Sequence, residues 1–317
     1  MNIRNNSEDK MIYKIRIKKL FIAIFIVLLT VSLSAKIPKD GSKYGFQFLK
    51  IPVSPELAAM ANTGEAIHSS PLTFFHHPVA HSWQRGASVG ISQTNWFFET
   101  NMYNLAYRNT GFKSSFGFGL VYMDYGQFDK RDYKGSLEGS FYPMDLRFTT
   151  NIARKLSPDI HLGVNFNMLY QKIHTASAYA FTTDFGLQYL TPFRNTSLDF
   201  AIKNIGDSSK MDLEKIEIPI IVDFGVATAL DITDTFILKP ALKISYIDGH
   251  DDIMPALGVQ GVISDMLFLR VGYKFNYNEE DFSTGFGIHW NQFRVDYTFI
   301  RNAELEHIHI FGIGMRF

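Results

Sequence analysis

The chain has 317 residues, a formal net charge of zero and no cysteine. Without cysteine it has no disulfide framework, no thiolate metal site and no attachment point for a cysteine-linked lipid anchor. The balanced charge gives no electrostatic basis for binding nucleic acid. The 29 Phe and 15 Tyr residues are typical of a membrane barrel with aromatic girdles.

The first 35 residues have the order of a secretory signal peptide. A basic flank precedes an apolar run at residues 20–33, and the run ends among the small residues Ser32, Ser34 and Ala35. This run is short for a helix that spans a bilayer. We therefore predict a signal peptide at residues 1–35 and a mature chain that begins near Lys36. An uncleaved N-terminal anchor is the alternative, and Met11 is a second candidate for the start.

Residues 36–85 do not alternate between apolar and polar positions. Residues 44–51 are strand-like, and residues 52–66 are rich in small side chains. Ser54, Pro55 and Glu56 mark a helix start, because Pro is favoured in the first helical turn. A segment this long and apolar is unsuited to a simple linker. We predict that residues 36–85 fold into the barrel as an N-terminal plug segment.

Residues 86–317 alternate with a period of two and predict fourteen strands, most of them long enough to cross an outer membrane when tilted. The predicted strands are 86–95, 98–108, 113–123, 138–153, 159–172, 178–190, 196–204, 219–230, 235–246, 252–262, 266–277, 281–289, 292–301 and 306–317. An even number places both ends on the periplasmic side, with short turns there and long loops outside. The long loops are predicted at 124–137 and 205–218. We predict an all-β, antiparallel, up-and-down transmembrane β-barrel.

The two faces of the predicted strands differ in polarity. One face carries long apolar side chains such as Phe116, Phe118 and Leu120, and we assign it to lipid. The opposite face is polar, and its candidate lumen residues are Arg147, Asp184, Asp223, Lys239, Arg270, Lys274, His289, Arg294 and Asp296. A charged side chain in mid-membrane lipid costs roughly 2 to 4 kcal/mol, so this segregation indicates a membrane barrel. A soluble sandwich or soluble barrel is the alternative, although one side of it must form a dry core.

The lumen-facing charges have both signs, which leaves two interpretations of the interior open. An aqueous pore would keep these charges solvated, whereas a narrow barrel would pair them across neighbouring strands. Asp223, for example, is expected to pair with Lys203 or Lys239. We favour an interior packed by ion pairs and by the N-terminal segment.

Several stretches resemble the PorV/PorQ family of outer-membrane proteins. They are FLKIPVSPELAAMANTGEA, GLVYMDYGQFD, DLRFTTNIARKLSPDIHLGVNFNMLYQKI, KNIG at residues 203–206 and FRVDYTFIRNAELEHIHIFGIGMRF. The resemblance covers nearly the whole mature chain and implies the fold of long-chain fatty acid transporters, a fourteen-stranded barrel with an N-terminal plug. It also implies a component of a type IX secretion system. Where the family tends to have an Asn-Pro-Ala turn in the plug, this chain has His77, Pro78 and Val79, so no role of that Asn is carried over.

Histidines are the best candidates for chemistry in this sequence. His76 or His77 could share a helix face with His81 and bind a metal, but Pro78 interrupts a helix there. The other histidines of interest are His289 on the lumen face and His307 and His309 on the lipid face. There is no Ser-His pair at strand spacing, no Gly-rich phosphate loop and no HExxH motif. We predict no cofactor, no metal and no enzymatic activity, and an outer-membrane hydrolase is the least favoured class.

These observations predict a non-enzymatic barrel in the outer membrane of a diderm bacterium. If the chain follows its secretion relatives, it docks exported proteins or components of a secretion system at loops 124–137 and 205–218. The alternative is a transporter of hydrophobic small molecules, such as fatty acids, through a plugged lumen or a lateral gap. Outer-membrane lipid is the expected partner in both cases.

Overall fold

The computed structural model describes residues 44–68, 70–79, 85–193, 195–248, 253–277 and 280–317. The predicted signal peptide, the predicted start of the plug at residue 36 and His81 lie outside these ranges. No helix within the described ranges combines the length and the apolar character needed to cross a bilayer.

Fourteen antiparallel strands close into one barrel. They are β1 Gly86–Asn95, β2 Asn101–Thr110, β3 Ser114–Asp124, β4 Met144–Lys155, β5 Ile160–Ile173, β6 Ala176–Leu190, β7 Thr196–Ser208, β8 Ile221–Thr228 with a continuation at Leu230–Thr233, β9 Phe236–Ile247, β10 Met254–Ile263, β11 Leu267–Lys274, β12 Glu280–Trp290, β13 Phe293–Asn302 and β14 Ile308–Arg316. Each strand pairs with its neighbours along the chain, and β14 pairs with β1 to complete the ring. The predicted fold class is therefore confirmed.

The main departure from the predicted strands lies in the first long loop. The predicted strand 138–153 is interrupted at Pro143, and the barrel strand β4 begins one residue later. Proline has no N–H to donate to a sheet ladder, so it is found mainly at strand ends, at edges and at bulges. The residues before it form a separate hairpin of Phe128–Arg131 with Leu137–Phe141. A second, shorter ribbon of Lys210–Met211 with Glu214–Lys215 lies in the other long loop.

The outer surface of the barrel is apolar, as the alternation predicts. On β3, for example, Phe116, Phe118 and Leu120 are exposed, whereas Gly117 and Gly119 between them point inward and are covered. The charged residues assigned to the lumen are on the covered side of their strands. Because the ring has no free edge and its outer face is apolar, this surface is suited to contact with lipid tails.

A charge introduced on this outer surface is expected to destabilise the barrel in lipid. Phe166 points outward in the middle of β5 and is 52% exposed. Phe166→Arg should lower the free energy of unfolding by roughly 2 to 4 kcal/mol, measured by urea titration in lipid vesicles. Tyr133→Arg is the matched control, because Tyr133 is 92% exposed at the tip of the loop hairpin. Equal stabilities of the two variants would contradict the lipid assignment.

Residues 44–68 and 70–79, which we call the inner segment, pack against the inward face of the strands. The segment contains 3₁₀ turns at Gln47–Lys50, Glu65–Ile67 and Pro71–Phe75 and one short α-helix, α1, at Pro55–Ala58. The helix starts at the position that the sequence predicts, with Pro55 in its first turn. Most residues of the inner segment are buried.

The inner segment runs from one end of the barrel toward the other. At its start, Tyr44 bridges to Glu217 in the long loop between β7 and β8, and the Gly45 N–H donates to the Glu217 carbonyl. Near its end, the Pro78 carbonyl accepts a hydrogen bond of 2.8 Å from the Asn151 side chain. Asn151 lies in the half of β4 that leads to a short turn. The segment therefore begins at the long-loop end and finishes near the short-turn end.

Candidate functional site in the barrel lumen

Glu56 of α1 connects the inner segment to the barrel wall. Its Oε1 lies 3.5 Å from Arg294 Nη1 and 3.8 Å from His289 Nε2, both on the wall. Its Oε2 accepts a hydrogen bond of 3.1 Å from the Ser70 N–H and lies 3.7 Å from His68 Nδ1. Burial alone would raise the pKa of Glu56, but the arginines at positions 294 and 270 hold that pKa below its ordinary value. Glu56 is thus an ionised carboxylate that two parts of the molecule share.

A second ionic contact lies on the wall formed by β7, β8 and β9. Asp223 Oδ2 lies 2.7 Å from Lys203 Nζ and 4.0 Å from Lys243 Nζ. Lys243 Nζ also lies 2.9 Å from Oε1 of Glu65 in the inner segment. The predicted pair of Asp223 with Lys203 is present. The alternative pair with Lys239 is wrong, because Lys239 lies opposite Gln260 on β10 and forms no ion pair with Asp223.

A hydrogen-bonded network occupies the wall formed by β4 to β7. Arg147 Nη2 donates to Asp184 Oδ2 at 3.1 Å and to Asn167 Oδ1 at 3.0 Å. Asn165 donates to the same Asp184 oxygen at 3.0 Å and to the carbonyl of Phe74 in the inner segment at 2.9 Å. Both sides of this contact are buried, so its polar groups depend on each other for their hydrogen bonds.

The remaining predicted lumen residues form two further pairs. Arg270 Nη1 donates to Asp296 Oδ1 at 2.7 Å, and Lys274 Nζ donates to Glu280 Oε2 at 2.8 Å. The ring of His289 stacks on Phe268 with 3.9 Å between ring centroids. The interior therefore resembles a packed, ion-paired structure, in which the charges of the described residues are largely neutralised within the protein.

His76 and His77 of the inner segment serve as hydrogen-bonding groups. His76 Nε2 accepts from the Val53 N–H at 3.0 Å. His77 Nδ1 accepts from the Val79 N–H at 3.2 Å, which leaves Nε2 to carry the proton and donate to the Phe200 carbonyl at 3.2 Å. These contacts occupy Nε2 of His76 and both ring nitrogens of His77, and Pro78 follows in the chain as a buried residue.

Lowering the pH is expected to destabilise the folded protein, because His77 of the inner segment is buried without a proton on Nδ1. Burial lowers the pKa of His77 to about 4, so an unfolded chain binds a proton at a higher pH than the folded one does. Stability should fall by up to about 3 kcal/mol as the pH decreases from 6.5 toward 4. Urea unfolding at pH 7.5 and pH 4.5 tests this expectation. His77→Gln should reduce the difference between the two conditions, and an unchanged difference would contradict this assignment.

One group of side chains has donor atoms that could surround a metal ion. Glu56, His289 and Asp296 place one donor atom each within 4.8 Å of one another. However, Arg270 lies 2.7 Å from Asp296 and Arg294 lies 3.5 Å from Glu56. A divalent cation here would add two positive charges to a buried cluster that the arginines already neutralise. The residues do not fit a metal site.

Apolar side chains line much of the lumen on the long-loop side. They come from the wall as Met102, Val121, Met123, Leu169, Ala178 and Ala180, and from the inner segment as Phe46, Phe48, Ile51 and Val53. The inner segment therefore fills this apolar half of the lumen with its own aromatic and aliphatic groups. Between residues 47 and 52 its backbone hydrogen bonds are local, as in Leu49 N–H to Phe46 and Ile51 N–H to Phe48.

A small cavity lies beside this apolar stretch. Its volume is about 20 Å³, which is room for about one water molecule. Phe48, Ile51 and Val53 line it on the side of the inner segment, and Arg147 and Lys203 border it on the wall. A molecule as large as a fatty acid does not fit this space unless the inner segment moves.

The sequence analysis named candidate lumen residues but not their partners in the inner segment. The candidates Arg147, Asp184 and Asp223 lie on the covered face of their strands. Glu56 and Glu65, which contact Arg294 and Lys243, were not among the predicted site residues. The available signal was the presence of two acidic residues in an otherwise small and apolar segment, since buried carboxylates require a cationic or hydrogen-bonding partner.

Three crystal structures show the same architecture. The toluene transporter TbuX of Ralstonia pickettii has 13% sequence identity and a TM-score of 0.58, with 87% of this chain and 99% of that chain covered. The Pseudomonas putida toluene transporter TodX has 11% identity and a TM-score of 0.60, covering 82% and 97%. A Pseudomonas aeruginosa FadL homologue has 9% identity and a TM-score of 0.51, covering 83% and 97%. Neither a protein-family model nor a curated protein sequence matches the chain.

At these identities the comparison shows a shared fold. Together with the closed ring and its apolar outer surface, this shared fold confirms the predicted outer-membrane location. The narrower resemblance to the PorV/PorQ family remains a prediction.

Proposed function

We propose that the protein carries hydrophobic small molecules across the outer membrane through the barrel lumen. The observation that supports this function is the apolar half of the lumen, where Phe46 and Phe48 occupy the space between Val121, Met123 and Leu169. Two of the structural neighbours are toluene transporters, which favours a transport function over a role in a secretion system. In this proposal residues 36–85 act as a plug, and the ligand must displace part of it.

The inner segment divides into two parts with different attachments. Residues 54–79 are fixed by charged and polar contacts, including the ion pairs of Glu56 and Glu65 and the hydrogen bond from Asn165. Residues 46–52 contribute Phe46, Phe48 and Ile51 to the apolar cluster, and the Phe46 N–H donates a hydrogen bond of 3.4 Å to the Gln171 side chain. A hydrophobic ligand can replace apolar contacts without leaving buried charges unpaired. Residues 46–52 are therefore the part that a ligand displaces.

If a ligand displaces residues 46–52, replacing the buried Phe48 should strengthen ligand binding. Phe48→Ala weakens the attachment of residues 46–52, because removing a buried Phe side chain costs about 3 to 5 kcal/mol. If these residues compete with the ligand, the apparent affinity for an apolar probe should rise by about tenfold or more. Fluorescence titration of detergent-solubilised protein with 11-(dansylamino)undecanoic acid measures this affinity. Phe98→Ala, at an exposed turn residue, is the matched control.

One result would count against transport and another against the displacement of residues 46–52. Wild-type protein that shows no saturable binding of the fluorescent acid lacks the required site. Weaker binding by Phe48→Ala would show that Phe48 helps to form the site and does not compete for it. Uptake of radiolabelled toluene and oleate by cells with and without the gene then separates binding from movement across the membrane.

The loop hairpin supports a second candidate function, the docking of exported proteins. Tyr133 and Leu137 are strongly exposed on the hairpin of Phe128–Arg131 and Leu137–Phe141, and Leu213 is exposed in the loop between β7 and β8. These are the loops that the resemblance to the PorV/PorQ family implicates. Pull-down from solubilised outer membrane should recover secreted cargo with wild-type protein. It should fail when residues 128–141 are replaced by a short turn.

A further inference from the structure

The short turns at one end of the barrel carry exposed apolar residues beside cations. Phe112 is 74% exposed in the turn between β2 and β3, and the Arg85 guanidinium carbon lies 3.9 Å from its ring centroid. Lys113 follows Phe112 in the same turn and is also exposed. In the next short turn, exposed Leu156 lies close after Arg154. We call Arg85, Phe112, Lys113, Arg154 and Leu156 the basic rim.

The basic rim is one continuous surface. The Lys155 N–H donates to the Lys113 carbonyl at 2.8 Å, which joins the two turns. Ser114 and Arg154 lie opposite each other on β3 and β4. Arg154 is on the outward face, in register with exposed Ile152. Arg154 therefore faces the boundary where the apolar outer surface ends, and Arg85 and Lys113 are exposed in the adjoining turn region.

The charge of the rim is not balanced locally. Arg85, Lys113 and Arg154 form no ion pair within the described ranges, and Asp159 is the one acidic residue in the two turns. The acidic turn residues Asp231, Asp234 and Asp265 lie beside β8 to β11, about half the ring away. Charge is thus separated around this end of the barrel, and the excess positive charge is on the side with Phe112.

We propose that the basic rim binds the phosphate groups of anionic phospholipids in the adjoining leaflet. Lys and Arg at the end of an apolar surface extend their charged groups toward lipid headgroups while their stems stay in the apolar layer. Exposed aromatic side chains favour the same interface. Phe112 inserts among the headgroups, and Arg85, which stacks on it, is positioned to contact a phosphate. Each cation at the membrane surface strengthens the attraction to anionic lipid.

The test compares lipid retention by folded protein. Purified protein in uncharged detergent is titrated with dioleoyl phosphatidylglycerol or dioleoyl phosphatidylcholine, and bound lipid is counted by native mass spectrometry. Wild-type protein should prefer the anionic lipid by about tenfold or more at low salt. The preference should decrease at high salt, because exposed charges are screened.

The decisive variant combines Arg85→Gln, Lys113→Gln and Arg154→Gln. This triple variant should lose the preference for anionic lipid. The control combines Lys130→Gln, Arg131→Gln and Lys172→Gln, which removes the same number of positive charges at the other end of the barrel. The control should keep the preference. Phe112→Ala should reduce retention of both lipids, because it removes the inserted ring. Circular dichroism and heat-dependent gel mobility confirm that each variant is folded.

Two outcomes would overturn the proposal. The first is an anionic preference that the triple variant retains in full. The second is a wild-type protein without lipid preference that instead retains a polyglutamate peptide, since this would indicate an acidic protein partner. Neither outcome depends on whether the lumen carries a ligand.

Discussion

Glu56→Ala is expected to reduce the free energy of unfolding by about 3 to 5 kcal/mol and to release the inner segment to protease. Arg294 would lose a counter-ion 3.5 Å away, and the Ser70 N–H would lose its acceptor. Removing one partner of a buried ion pair is costly because the other charge stays buried. Guanidinium unfolding in detergent and limited chymotrypsin digestion, which can cut after Leu57 or Phe74 in the segment, measure the two effects.

Two further variants separate charge from packing at this position. Glu56→Gln keeps the size and the acceptor for Ser70 but lacks the negative charge, so its loss should be intermediate. Arg294→Met in the Glu56→Ala background should restore part of the stability, because no unpaired cation remains. The matched control is Glu138→Ala, which breaks an exposed pair with Lys130. That pair should contribute less than about 1 kcal/mol to the free energy of unfolding. If Glu56→Ala reduced the free energy of unfolding by no more than this control, the role of Glu56 would be refuted.

Gly272→Ala is the second variant with a large expected effect. A Cβ atom at Gly272 would lie 2.3 Å from the Ala61 nitrogen and 2.4 Å from the Met60 carbonyl carbon. These are backbone atoms of the inner segment, at a turn where Ala61 and Asn62 have positive φ angles of 54° and 59°. The segment must move away from the wall, at a cost of about 3 kcal/mol or more.

The control for this variant is another inward-facing glycine. A Cβ atom at Gly225 of β8 would meet its nearest neighbour at 3.6 Å, which is an ordinary contact. Gly225→Ala should therefore leave the melting temperature nearly unchanged, whereas Gly272→Ala should lower it and speed the digestion of residues 44–79. Identical behaviour of the two variants would mean that the segment does not press against β11 as described.

Strand positions and faces were predictable because lipid and lumen impose opposite preferences on alternate residues. On β5, Leu162, Phe166 and Met168 point outward while Asn165 and Asn167 point inward, and a shift of one residue would expose every charge to lipid. The fourteen strands and the inward position of Arg147 and Asp184 follow from this rule. The boundary at Pro143 was missed because the residues before it, 137–141, also have a strand-like pattern and form the loop hairpin.

Pairing within the lumen was not predictable in the same way. Asp223 lies opposite Ala201 on β7 and Ser245 on β9, so its diagonal neighbours are Lys203 and Lys243. That selection depends on strand register, which alternation alone does not specify. The contact of Glu56 with Arg294 joins residues far apart in the chain, and the inner segment has no period that could align it with the wall.

The start of the inner segment at the long-loop end, beside Glu217, has a consequence for the order of assembly. The segment carries Phe46, Phe48 and Phe74, and the free space beside it is about 20 Å³. The free space is small because the side chains of the segment and of the wall fill the lumen together. We therefore expect residues 44–79 to be packed between the strands before β14 pairs with β1, so that the last hydrogen bonds of the wall form around a segment that is already in place.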